Sequence, residues 1–263
     1  MTDWQGIADG GYPAPADADL DVLAAELATA LAEPDPHVRD GAAYAVLAHW
    51  IRAGVLDGQL RWLGDQMADR FTDPRVQART FAPLVLAWVI ERGTFDERWV
   101  RAFMDWYPGE IDLRGHDEHL GWLHAVAHGA DLLGVLGRHP QVRPDLMLGL
   151  ATRRMLAPTT FVWRDAEDDR LACALALTLT RADITDTESA AWLEPVEREF
   201  AAGEPGPVPP FASNAMRTLR MLYLLADRGV LGEPDGEVLR LTHRAAVLDA
   251  LARTLAEVCW FLG

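Results

Sequence analysis

Apolar residues recur at spacings of three and four along most of the chain, and alternating runs long enough for a sheet strand are missing. This pattern predicts helices near residues 18–33, 36–53, 57–71, 74–92, 95–106, 117–137, 143–156, 166–181, 187–202, 211–228 and 237–261, and therefore an all-α fold. Asp35-Pro36 and Asp73-Pro74 each put a carboxylate at the N-cap and proline at the first helical position.

Those two starts also open a repeat. DPHVRDGAAYAVLAHWI at 35–51 overlays DPRVQARTFAPLVLAWVI at 73–90 at an offset of 38, with Asp, Pro, Val and Trp coinciding. Looser units begin near Asp117 and Asp168. A helix pair of this kind buries its apolar face only against its neighbours, so the expected architecture is a HEAT-like α-solenoid of stacked helical hairpins, a right-handed single array with a concave side. Trp50 and Trp88, at matching repeat positions, are expected to pack between repeats. Residues 1–17 are expected to form a flexible N-terminal segment. Residues 18–263 would then be one helical-repeat domain, bent at the Pro-rich stretch 203–211.

Composition narrows the chemistry. All 24 basic residues are arginine, so Schiff-base catalysis and a P-loop lysine are excluded. Arginine in place of lysine, with abundant alanine, points to a GC-rich, for example actinobacterial, genome. Forty acidic residues give a formal charge of −16, and Arg153-Arg154 is the sole adjacent basic pair. Nucleic acid and anionic membrane are therefore not expected as partners, and a helical-repeat DNA glycosylase fails on the same ground. The longest uncharged apolar stretch, Thr80–Ile90, is about half the length of a membrane span. With no basic, apolar leader at the N-terminus, a cytoplasmic location is expected. Cys173 and Cys259 lie in apolar helical contexts and are expected as buried, reduced thiols.

The candidate chemistry centres on GWLHAVAHGADLL at 121–133. On one continuous helix His124, His128, Asp131 and Asp117 fall in a narrow stripe, opposite a core face of Trp122, Val126, Ala130 and Leu133. The stripe is either a solvated face, a set of satisfied core histidines or a pocket lining; His and Asp beside Gly121, Ala127 and Gly129 favour the lining. HxxxHxxD lacks the glutamate of the zinc-peptidase motif, so no metal is assigned and no cofactor is required. GxSxG, GxGxxG and CxxC are absent too.

In the loop Asp112-Leu113-Arg114-Gly115-His116, Arg114 either receives an anion beside a helix start or pairs with a local acid. Asp40 and Tyr44 share a helix face beside Arg39. Arg79, on an apolar helix, must reach a concave surface or find an acid. Trp106 and Tyr107 sit near a turn and could flank a groove. Asn214 and Arg217 form a polar pair on an apolar helix, at the surface or in a site.

Together these residues describe a concave polar pocket for a small polar or anionic molecule. Were it an enzyme, His124 or His128 would be the general base, oriented by Asp131 or Asp112. Arg39, Arg79 and Arg114 would neutralise developing charge, and Asp40, Tyr44, Trp122 and Asn214 would complete the lining. The alternative is a non-catalytic repeat scaffold that binds a protein or peptide in its groove. RDGAAY at 39–44, DLRG at 112–115 and the 121–133 segment, in that order, resemble the bacterial domain-of-unknown-function family numbered 2785, over about residues 20–230. The resemblance implies a HEAT-like helical protein and singles out these residues, while leaving the reaction open.

Overall fold

The three- and four-residue apolar spacing becomes helix along most of the computed structural model, which describes every residue except Met1, Asp17, Pro205, Pro234, Trp260 and Gly263. The chain runs α1 (Trp4–Asp9), α2 (Leu20–Ala30), a π-helical stretch (His37–Tyr44) continuing into α3 (Ala45–Arg52), α4 (Leu60–Asp69), α5 (Val76–Glu91) and α6 (Glu97–Trp106). A hairpin of β1 (His116–Asp117) and β2 (Gly121–Trp122) precedes α7 (Ala125–Arg138), α8 (Pro144–Leu156), α9 (Glu167–Thr178), α10 (Asp186–Ala191), α11 (Glu194–Ala201) and α12 (Pro210–Arg228). A second hairpin, β3 (Val230–Leu231) with β4 (Val238–Leu239), leads into α13 (Arg244–Ala256). Both hairpins are antiparallel with two residues per strand, so the protein is mostly helical, consistent with the all-α class.

The residues group into two compact units, Met1–Trp106 with Asp112–Leu132, and Tyr107–Ile111 with Leu133–Gly263. In the first, Leu27, Leu47, Trp50, Ile51, Leu63, Met67, Val85, Val89 and Phe103 are wholly buried. The α5 segment is apolar on nearly every face and buries most of its residues, packing against α3 and α4. In the second unit α12 packs on α8, α9 and α13 around Leu148, Leu171, Leu175, Leu219, Leu222 and Leu251. No helix among the described residues is long and apolar enough to cross a membrane. Cys259 is buried and Cys173 half-buried, both free.

At both Asp-Pro dipeptides the Asp Oδ1 accepts the N–H two residues on, Asp35 that of His37 at 2.9 Å and Asp73 that of Arg75 at 2.8 Å, but neither Asp is the N-cap: Pro36 caps the π-helical stretch, and α5 starts at Val76 after Arg75, so Pro74 is not its first residue. The far ends have slipped by one residue, because the left-handed glycines that close the helices are Gly54 and Gly93. Val55 N–H bonds the Trp50 carbonyl where Thr94 N–H bonds that of Val89. Trp88 therefore does not occupy the place of Trp50, since one residue turns a helix by about 100°. Trp50 is fully buried and its Nε1 donates to the Tyr12 carbonyl at 2.8 Å, whereas Trp88 is half-buried and donates to the Tyr44 hydroxyl at 3.2 Å. Before residue 18, where the apolar spacing gives no element, α1 is present and Trp4 packs edge-on against Trp50.

The largest departure is the helix expected over 117–137, which begins only at Ala125. Asp117 Oδ1 accepts the N–H groups of His119 and Leu120, each at 2.9 Å, an Asx turn that competes with helix for the backbone. Gly121 then takes φ 68, and a Cβ there would meet Pro36 Cβ at 2.8 Å. The chain reverses although its three–four spacing continues. The helix expected at 187–202 likewise divides into α10 and α11 at Trp192-Leu193, and that at 237–261 yields its first residues to β4.

Candidate functional site

Three candidate residues come from the π-helical stretch, a geometry often found at functional sites. Arg39 is fully buried, and Nη1 donates to the Glu33 and Pro34 carbonyls at 3.3 and 3.4 Å. Its Nη2 donates to those of Leu120 and Trp122 at 2.5 and 3.2 Å, tying the β1–β2 hairpin to the π-helix. Nε pairs with Asp40 at 2.6 Å. Burial nevertheless holds the Asp40 carboxyl above the usual aspartate range, against the lowering effect of Arg39 and, more weakly, His116.

The guanidinium of Arg39 also lies 4.7 Å from the centroid of Phe81, and Tyr44 and His128 meet that ring edge-on at 6.0 and 5.1 Å. Phe81 is thus the hub of the cluster, and nothing in its sequence context singles it out. The π-turn brings Arg39 and Tyr44 onto this one ring, where α-helical spacing would have paired Tyr44 with Asp40.

Arg114 takes the local-acid alternative. Nε and Nη2 form a fork on Asp112, at 2.8 and 2.6 Å, and Nη1 pairs with Asp117. The hydrogen bond from Arg114 holds Asp112 below its ordinary value, with the charges of Arg114 and Arg79 adding to it. Arg79 itself turns back onto the Asp73 and Pro74 carbonyls at 2.8 and 3.1 Å, as Arg39 does onto Glu33 and Pro34. All three arginines therefore spend donors on the fold.

The histidines are arranged differently from the expected stripe. Asp117 and His124 are not on the helix, and Trp122 is 44% exposed on β2, not on a core face. His124 has φ 47, a left-handed backbone that a non-glycine residue seldom adopts. It is held there by its N–H, shared between the Arg114 and Gly115 carbonyls at 3.2 Å, while its own carbonyl accepts the His128 N–H at 2.8 Å. The rings run in series: His116 to Trp122 at 4.8 Å, Trp122 to His124 at 4.4 Å, His124 to His128 at 5.7 Å. Exposure falls along it, from exposed His116 and Trp122 through half-buried His124 to buried His128.

His128 Nδ1 lies 2.9 Å from the Thr80 carbonyl. A carbonyl only accepts, so in neutral His128 the hydrogen is on Nδ1 and the basic lone pair on Nε2. Pro83 inside α5 has no N–H to donate to the Arg79 carbonyl, beside Thr80 in the same turn. Asp131, half-buried, follows His128 by one turn of α7.

Asn214 lies in the second unit and is fully buried there, not at the surface. Its Oδ1 accepts the Trp163 N–H at 2.9 Å and its Nδ2 donates to the Phe161 carbonyl at 3.0 Å, so it shapes the loop before α9.

A family model described as a protein of unknown function, DUF2785, matches residues 67–224. The match covers Arg79, the 112–117 loop, both histidines, Asp131 and Asn214, and starts beyond the π-helical Arg39, Asp40 and Tyr44. No curated protein and no solved structure matches the chain. With more than half its length under that model, the chain belongs to the DUF2785 family.

Proposed function

We propose that the first unit binds a small polar molecule on the face made by His116, Trp122 and His124, with His128 behind them. The observation that carries this reading is the left-handed backbone at His124, at the point where the ring series passes from solvent to core. Such a residue costs roughly 1–3 kcal/mol, and glycine would sit there more easily, so the imidazole is retained for what it contacts. The exposed indole offers a flat stacking surface, and the imidazoles offer donors and acceptors that change with protonation. The arginines are engaged by carboxylates and carbonyls, so recognition falls on the rings and on Asp40, and the ligand is polar or weakly anionic, not a polyphosphate. Were the site catalytic, His124 would exchange the proton and the fixed tautomer of His128 would orient it.

On this proposal the helices after Asp35 and Asp73 are degenerate HEAT-like repeats, which the matching contact of each Asp with the N–H two residues on supports. The net charge of −16 supports a partner other than nucleic acid. Peptide binding is favoured by one feature alone, the exposure of Trp122.

A thermal-shift panel of small carboxylates, phosphates, sugars and amino acids, applied to wild type and Trp122→Ala, tests the reading. We expect one chemical class to raise the Tm of the wild type and not that of the variant, whose own stability stays within about 1 kcal/mol. A panel that leaves the wild type unmoved, or shifts both proteins equally, contradicts it.

A further inference from the structure

A second group of carboxylates lies where α9 begins, in the second unit. Asp165-Ala166-Glu167-Asp168-Asp169 places four carboxylates in five residues. Ala166 adopts a left-handed backbone, φ 64, and the carboxylate oxygens of Asp165 and Glu167 on either side of it come within 4.8 Å of one another. The segment is fixed from α12, through the Asn214 contacts with residues 161 and 163 and through Arg217, which donates to the Trp163 carbonyl and pairs with Asp168 at 2.7 Å.

Acidic residues at a helix start are common and need no ligand. What sets this cluster apart is Glu167, which is fully buried. Its Oε2 accepts the Asp165 N–H at 2.8 Å, but its Oε1, also buried, has no hydrogen-bond partner among the described residues. A buried carboxylate oxygen left unpaired is costly to a fold. Burial, together with the charges of Asp165 and Asp168, pushes the Glu167 carboxyl up, and the Arg217 guanidinium that enters the cluster is paired with Asp168. The cluster has a deficit of positive charge at the Glu167 carboxylate, and the Asp165 carboxylate comes within 4.8 Å of it.

We propose that the Asp165 and Glu167 carboxylates hold a hard divalent cation of the Mg2+ or Mn2+ class. Two carboxylates with water in the remaining positions are the usual protein share of such a site, and half-buried Asp165 leaves a side open to water. Carboxylate oxygens favour such a hard cation over softer metals. The proposal goes beyond the small-molecule reading of the first unit, and separate readouts test the two.

Mn2+ is the probe. The full chain is stripped with chelator, titrated with MnCl2 near neutral pH, and the free Mn2+ is followed by its electron paramagnetic resonance signal. We expect about one Mn2+ per chain in the wild type and in Trp122→Ala, none in Glu167→Gln, and at least tenfold weaker uptake in Asp165→Asn. Glu167→Gln keeps the buried shape; should it fail to fold, half-buried Asp165→Asn still decides the matter. A wild type that leaves the free signal unchanged, or carboxamide variants that take up Mn2+ as the wild type does, overturns the proposal.

Discussion

Arg39 shows how a side chain that looks functional in a sequence can carry structure first. It is fully buried, ion-paired to Asp40, donates to four carbonyls and covers Phe81. Arg39→Ala would strand all of these groups at once, and we expect it to cost about 3–5 kcal/mol in urea unfolding, as for other buried pairs broken on one side. A loss under 1 kcal/mol would show that the guanidinium is dispensable to the fold. The pairing with Asp40 was legible because the partners are sequence neighbours, and so was the Arg114–Asp112 alternative. Phe81 and Thr80 were not, because they reach Arg39 and His128 from more than forty residues away, and periodicity records nothing about which faces meet.

At the level of elements, the Asp-Pro punctuation was the most legible part: Asp35 and Asp73 each accept the N–H two residues on, although neither is the N-cap and α5 starts two residues after Pro74. The 112–124 segment was the least. Its apolar spacing continues the period of α7, but the Asp117 turn and the Gly121 backbone reverse the chain, and Arg39 locks the reversal from a distant element. The periodicity argument counts residues and cannot sense a turn whose partners are far along the chain. Gly121→Ala should therefore be severe for so small a change, since the methyl meets Pro36 and the left-handed backbone loses its glycine. About 2 kcal/mol of lost stability is expected in chemical unfolding, with loosened ring contacts at Trp122. Wild-type stability in that variant would mean the hairpin is free to shift, and the rigid presentation of His124 would go with it.

Across the whole molecule, the all-α class and the family were legible, the first from the uniform helical period and the second from three motifs in order, of which the family model covers the latter two. Function was not, because the absence of lysine and a net charge of −16 argue against lysine chemistry and a nucleic-acid partner without supplying a reaction. In the first unit Arg39, Tyr44 and His128 meet Phe81, the arginines bond to carboxylates and carbonyls, and the proposed ligand face falls to the imidazoles and Trp122. His124→Gly separates those roles most directly. Glycine relieves the left-handed backbone while forfeiting ring contacts, so Tm should stay within a few degrees of wild type. The Tm shift given to the wild type by its best panel compound should vanish in the same variant. A His124→Gly protein that melts many degrees lower yet keeps the full ligand shift would make His124 a structural residue and contradict the account.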